Sequence, residues 1–179
     1  MSALPSVVSA ALETKLQGVS RNDLRARAQR ISASYRGGGG SGGIRSDLDA
    51  LAYAVVRMPA TYAALRAALA QASRVIPDFA PQTVLDIGAG PGTATWAACG
   101  AWPSLERATL IDGNAHLLAL ADALRPPSLA VTTLQSLFAA ALAETPGADI
   151  VMASYVLAEM PGAGLPAVGP RINGGSGWN

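Results

Sequence analysis

The sequence predicts an α/β protein, a parallel sheet covered on both faces, preceded by an α-helical region. Three observations predict it. From about residue 83, apolar strand-like runs alternate with helical patterns. Before that point only helical periodicity is present, and "PDFAP" at 77–81 separates the two rhythms with two prolines. The first strand-like run ends in a glycine-rich turn, "DIGAGPG". Half of the 179 residues are hydrophobic and 14% are charged, so a buried core is within reach and disorder throughout is not expected.

Residues 5–35 read as helical. Ser20 with Asp23 three residues on is close to a capping box, and Leu24, Ala28, Ile31 and Tyr35 follow at helical spacing. "GGGGSGG" at 37–43 stops the helix, because so many glycines lose too much backbone entropy to hold a regular element. It suits a flexible surface loop, or a loop whose amides approach phosphate. A second helix starts at Ser46, with a stripe of Leu48, Leu51, Val55 and Met58. Pro59 is expected to end it or to start the next helix, which runs to about residue 76.

After the break the order is regular. "TVLDIG", "RATLID" and "SLAVTTL" read as strands, and "ADIVMASYV" as a strand followed by the start of a helix. "GTATWAACGAW", "NAHLLALADAL" and "LFAAALAE" read as the intervening helices. Crossovers between parallel strands are expected to be right-handed. The organisation expected is a helical region over 1–80, a partial α/β domain over 81–160 and an irregular Gly/Pro-rich tail over 161–179.

Charge and rare residues bound the chemistry. Residues 1–80 carry ten basic against five acidic side chains, while 81–179 carry three against seven. A basic front half suits a polyanion such as RNA, although the same arginines also fit solvated helix faces. One cysteine, Cys99, and one histidine, His116, exclude an internal disulfide and a Cys- or His-rich metal site. "MSALPSVVSAALETK" lacks the basic flank of a secretory signal, and no apolar run reaches membrane-spanning length. The expectation is a cytoplasmic protein with no membrane association.

The turn "VLDIGAGPGTATW" decides the ligand class. A dinucleotide fingerprint needs GxGxxG, but Gly88, Gly90 and Gly92 fall as GxGxG and Thr93 stands where the next glycine would be. A phosphate-binding P-loop needs Gly-Lys-Ser/Thr, and lysine is absent. An acid two residues before the first glycine resembles instead the first motif of class I S-adenosylmethionine-dependent methyltransferases. Gly88 and Gly90 would let backbone approach the ligand without a Cβ, with Ala89 between them. Asp86 at the strand end would attract the ligand's ammonium group, directly or through water. Asp112, in "LIDGN", ends the second strand, where a carboxylate accepts from both ribose hydroxyls. Structural roles also fit: Asp86 as a helix N-terminal acid, Asp112 as a helix cap. Gln135 and Ser136 follow the third strand, near where an adenine would lie, and Ser154 follows the fourth. With Gly92 they complete the candidate S-adenosyl-L-methionine contacts. "ASYVLAE" lacks the acid-or-amide–Pro–Pro–aromatic motif of exocyclic-amine methyltransferases, and Cys99, inside a helix, reads as packed. No catalytic base or nucleophile is assigned; positioning alone suffices for displacement from an activated sulfonium.

"SYRGGGGSGGIRSDLDALAYAVVRMPATYAAL" at 34–65, with "LDIGAGPGTATWAA" and "ADIVMASYVLAEM", resembles the methyltransferase-like family of small-ribosomal-subunit proteins, whose bacterial members are related to a mitochondrial ribosome assembly factor. The resemblance runs from about residue 15 to about 160. It implies a Rossmann-like class I methyltransferase fold, here incomplete with about four parallel strands. It implies a helical front that packs beside it and meets ribosomal RNA. Arg45, Arg57 and Tyr62 stand in the shared segment as candidates for RNA contact or for covering the cofactor pocket; Tyr62 equally fits helix packing. Relatives continue past the fourth strand, with cysteines implied in an iron–sulfur cluster. The tail here does not resemble them and reads as a truncation or a shifted frame, so no cluster is carried over. Without a fifth strand the fourth would be an edge open to self-association. The leading expectation is a methyltransferase-like protein acting on or assembling the small ribosomal subunit. A non-catalytic RNA-binding assembly factor and a small-molecule methyltransferase stay open beside it.

Overall fold

The computed structural model describes residues 4–36, 40–136 and 147–155. The helix expected over "LFAAALAE", part of the glycine run and everything after Tyr155, including the tail, lie outside the described residues. In order come α1 (Ser6–Leu16), α2 (Arg21–Arg36), a 3-10 turn (Gly40–Gly43), α3 (Asp47–Val75), β1 (Thr83–Ile87), α4 (Thr93–Ala101), β2 (Arg107–Asp112), α5 (Ala115–Leu124), β3 (Ala130–Gln135) and β4 (Ile150–Met152).

The described strands form one parallel sheet in the order β3-β2-β1-β4. This is the expected Rossmann-like α/β arrangement. From β1 the chain steps outward through β2 to β3 and then returns to the other side of β1. That reversal makes the carboxyl ends of β1 and β4 a topological switch point, where open parallel sheets bind ligands. The amino ends of the same two strands are clasped. Asp149 Oδ2 accepts from the Gln82 N–H, the Thr83 N–H and the Thr83 hydroxyl, each at 2.9 Å.

Two helical expectations change. Residues 5–35 are two helices, because Gly18 takes φ 75° in the turn between them. Only glycine holds that conformation without cost. Pro59 neither ends nor starts a helix but sits inside the 29-residue α3. Its ring removes the N–H that would bond the Val55 carbonyl. Val55 lies on an outer face and is 36% exposed, so water can serve that carbonyl. The inner face of α3, with Ala50, Ala54, Met58 and Tyr62 buried, holds the helix in place by packing.

One apolar core runs from the helical front into the α/β part. Val8, Ile31, Met58 and Tyr62 belong to the same buried cluster as Trp96, Leu110, Leu117 and Leu124. The change of rhythm near residue 80 therefore lies within continuous packing. Helices α3 and α4 pack closely: the Tyr62 hydroxyl lies 3.6 Å from where a Cβ on Gly100 would stand, an ordinary van der Waals distance. Asp49, 2% exposed, ties α2 to the start of α3. It accepts from Arg27 (2.9 Å), Arg30 and the Arg45 N–H (3.1 Å), and its own N–H donates to Ser46 Oγ at 3.2 Å. Burial alone would raise the Asp49 pKa, but these hydrogen bonds and the Arg30 charge outweigh it and hold the carboxyl below its ordinary value.

Candidate functional site

The predicted cofactor residues converge at the carboxyl edge of the sheet. Gly88, Gly90 and Gly92 take φ values of 67°, 54° and 79°, which explains the glycine at each. Their surroundings differ. A Cβ on Gly90 would meet nothing within 4 Å, so this side of the turn is open. A Cβ on Gly92 would stand 2.4 Å from the Trp96 ring. Trp96 is 1% exposed and donates from Nε1 to the Pro91 carbonyl at 2.9 Å. Gly92 thus serves packing of the turn on α4, whereas the space beside Gly90 is unfilled. Ala89 is buried, its N–H bonded to the Ile111 carbonyl at 3.0 Å.

Asp112 lies at the end of β2 and faces this turn. Its Oδ2 accepts from the Gly90 N–H and its Oδ1 from the Asn114 N–H, both at 2.8 Å. A carboxylate offers about four lone-pair sites, so capacity remains on each oxygen for a ribose hydroxyl. Burial raises the Asp112 pKa, against the two backbone hydrogen bonds. Asp112 does not cap α5. Asn114 does, its Oδ1 accepting from the His116 and Leu117 N–H groups at 3.0 and 3.2 Å.

Asp86 is placed differently from the expectation of a ligand-facing acid. It is 0% exposed beneath the turn, so direct attraction of a ligand's ammonium is not the geometry observed. Its Oδ2 accepts from the Thr95 N–H at 3.2 Å and the Thr95 hydroxyl at 2.8 Å, in the first turn of α4. The structural alternative, a helix N-terminal acid, is thus realised. Its Oδ1 is buried without a hydrogen-bond partner among the described residues. Burial pushes the carboxyl up to about 7, with the Thr95 hydrogen bonds opposing and the Asp112 charge adding to it.

Gln135 pairs in register with Asp112 on the neighbouring strand and donates from Nε2 to the Gly113 carbonyl at 3.3 Å. The Ser136 N–H bonds the Asp112 carbonyl at 3.2 Å. Ser154, half-buried, follows β4 on the same edge. Beside it Tyr155 is 65% exposed and takes φ 64°, the one positive φ at a non-glycine among the described residues. A bulky side chain in that region is an outlier that functional sites often hold.

The structure does not gather Arg45, Arg57 and Tyr62 into one surface. Arg45 is exposed beside the 3-10 turn. Arg57 is exposed with its guanidinium 6.0 Å from the Tyr35 ring centre. Tyr62 is 1% exposed against α4, the burial that the packing alternative describes. Cys99 is half-buried, and burial pushes its thiol up to about 11, which keeps it unreactive near neutral pH.

Sequence reasoning passed over Asn114. Besides capping α5, its Nδ2 donates to the Ile44 carbonyl at 2.9 Å and the Ser41 carbonyl at 3.3 Å. It fastens the glycine loop of the helical front to the ribose-acid corner. His116 Nδ1 adds a contact to Asp47 Oδ1 at 2.7 Å. An asparagine just before "AHLLALADAL" is an N-cap signal, but nothing local reveals its second partner.

A family described as Rsm22, mitochondrial small ribosomal subunit Rsm22, matches residues 47–164. The human ribosome assembly protein METTL17, mitochondrial, is 37% identical over 75 residues, covering 41% of this chain and 16% of that protein. The chain therefore spans about a sixth of the length of that relative. Two structures of the plantazolicin methyltransferase BpumL are also similar. One, in complex with a monoazolic desmethylPZN analog and SAH, has TM-score 0.42 and 14% identity, covering 78% of this chain and 49% of that one. The other, with SAH, has TM-score 0.43 and 16% identity, covering 83% and 50%.

Proposed function

Because the chain belongs to the Rsm22 family, we propose that it is an S-adenosylmethionine-binding, methyltransferase-like protein that acts on or assembles the small ribosomal subunit through its RNA. The observation that carries the cofactor half of this reading is the corner built by Gly90 and Asp112. An open-sided glycine at φ 54° stands against a carboxylate already oriented by two backbone N–H groups. Such pre-organisation lowers the cost of holding a diol. Asp112 would accept from the ribose hydroxyls, Gly90 would admit the ligand, and Gln135 and Ser136 would border the adenine. Ser154 and Tyr155, at the switch point after β4, would stand on the methyl-acceptor side. The cofactor supplies a methyl group on a sulfonium; the chain's residues position it and exclude water.

The ribosomal half rests on the family. The working compartment in this reading is the cytoplasm, whereas the human relative is mitochondrial. No helix among the described residues is long and apolar enough to cross a membrane. A second reading, an assembly factor that holds cofactor and RNA without transferring a methyl group, is favoured by one observation. "ASYVLAE" carries no acid-or-amide–Pro–Pro–aromatic motif after β4. Self-association along β4, one of the two outer strands among the described residues, is a further proposal.

Calorimetric titration with S-adenosylmethionine tests the cofactor site. Charged hydrogen bonds of about 1.5–3 kcal/mol each imply at least roughly tenfold weaker binding for Asp112→Ala. Unchanged affinity would overturn the assignment. Methyl transfer to small-subunit RNA then separates the two readings, since the assembly factor binds cofactor and transfers nothing.

A further inference from the structure

A groove of about 1050 Å³ lies between the end of α1, α2 and the first half of α3, and no residue of the glycine turn lines it. Leu16, Val19, Leu24, Val55 and Val56 form its floor, and Val56 is 52% exposed. Arg21, Arg25, Arg36 and Arg57 form its rim, and no acidic residue lines it. The arginines of α2 are sorted by face. Arg27 and Arg30 turn inward to the buried Asp49. Arg21, Arg25 and Arg36 face the groove and make no ion pair with the described residues, nor does Arg57. An aliphatic floor of this size edged with unspent positive charge marks an interaction surface.

The geometry points to one occupant: an amphipathic helix of a protein partner, with an apolar stripe and flanking Glu or Asp. Three observations select it. The groove lies between helices and offers no strand edge, so an extended peptide would lose backbone hydrogen bonds over an aliphatic floor, whereas a helix satisfies its own. The four rim arginines ask for acidic flanks, by charge complementarity. A single strand of nucleic acid would need free aromatic faces for its bases. The groove's one aromatic, Tyr35, is already stacked on Tyr53 with centroids 5.8 Å apart and covered by Arg57. This site is separate from the proposed cofactor corner and its test does not depend on cofactor binding.

Fluorescence anisotropy on the full chain provides that test. The probe is a labelled synthetic helix of roughly 18 residues, long enough to lie along the 16-residue α2. It carries leucines at helical spacing and glutamate flanks. A counterpart has lysine flanks, and an unlabelled single-stranded RNA of similar length is the competitor. The expected result is micromolar binding of the glutamate helix and at least about tenfold weaker binding of the lysine helix. Val56→Asp, at an exposed position, should weaken the glutamate helix by about tenfold or more while circular dichroism stays unchanged. Combined Arg21→Glu and Arg25→Glu should shift preference to the lysine helix. The proposal is overturned if neither helix binds, which includes a groove already filled by the chain itself. It is overturned equally if both bind alike, if Val56→Asp changes nothing, or if the RNA displaces the glutamate helix.

Discussion

Replacing Asp86 by asparagine should make the protein more stable as pH rises, relative to the unmodified chain. The native carboxyl is 0% exposed, and burial moves its pKa from 3.8 to about 7. Oδ2 accepts both Thr95 hydrogen bonds, so the proton sits on the unpartnered Oδ1. Between those two values the folded state holds a proton that the unfolded chain has released. Stability therefore falls with rising pH across that window and levels off above about 7. At about 1.4 kcal/mol per tenfold change in proton affinity, the loss amounts to roughly 4 kcal/mol. Asparagine keeps an acceptor for Thr95 and does not ionise. Urea unfolding of both proteins should show a stability difference that grows by about 4 kcal/mol between pH 4 and pH 8. Asp112 and the other titrating groups are common to both and largely cancel. A difference that stays flat within about 1 kcal/mol across that range would refute the claim that burial of Asp86 stores this free energy.

The glycines of the turn should separate stability from binding. Gly90→Ala meets open space but must take φ 54°, so it should cost about 1–2 kcal/mol and weaken S-adenosylmethionine in calorimetry. Gly92→Ala drives a methyl group into the buried Trp96 ring and should cost more, about 3 kcal/mol or above in urea unfolding. Asn114→Ala removes the α5 cap and the hold on the glycine loop. About 1–2 kcal/mol of stability should go, with faster amide exchange at residues 41–44. Asp49→Ala leaves Arg27 and Arg30 without their shared partner. These arginines are 28% and 50% exposed, so the loss should be screened to about 2–3 kcal/mol, read by thermal unfolding.

Period and punctuation made the sheet legible. Four apolar runs, each followed by helix-like text, located β1 to β4, and Asp86, Gly90 and Asp112 fell at strand ends because the acids and glycines interrupt those runs. Other features depend on contacts between distant segments. Pro59 looks like a boundary locally, but the packing of Met58 and Tyr62 carries α3 through it. Tyr62 fits either a surface or a packing role locally, and only its burial in the structure shows the packing. For Asp86 the spacing left a ligand acid and a helix N-terminal acid both open, because it gives position along the strand and not depth. Asn114 announces a cap, while its grip on Ser41 and Ile44 joins residues some 70 apart in sequence. The groove was invisible for the same reason, since its floor comes from three helices.

The clasp between Asp149 and the start of β1 bears on the order of folding. It closes a loop of 66 residues, whereas β2 joins β1 and β3 joins β2 through shorter crossovers. Loop-closure entropy grows with length and must be met before such a contact contributes. β1, α4, β2, α5 and β3 can therefore assemble with β4 still undocked, and that smaller unit already contains Gly90, Asp112 and Asn114. The corner assigned to the cofactor is then complete before the fourth strand arrives, and ligand present during folding would stabilise the unit that β4 later joins.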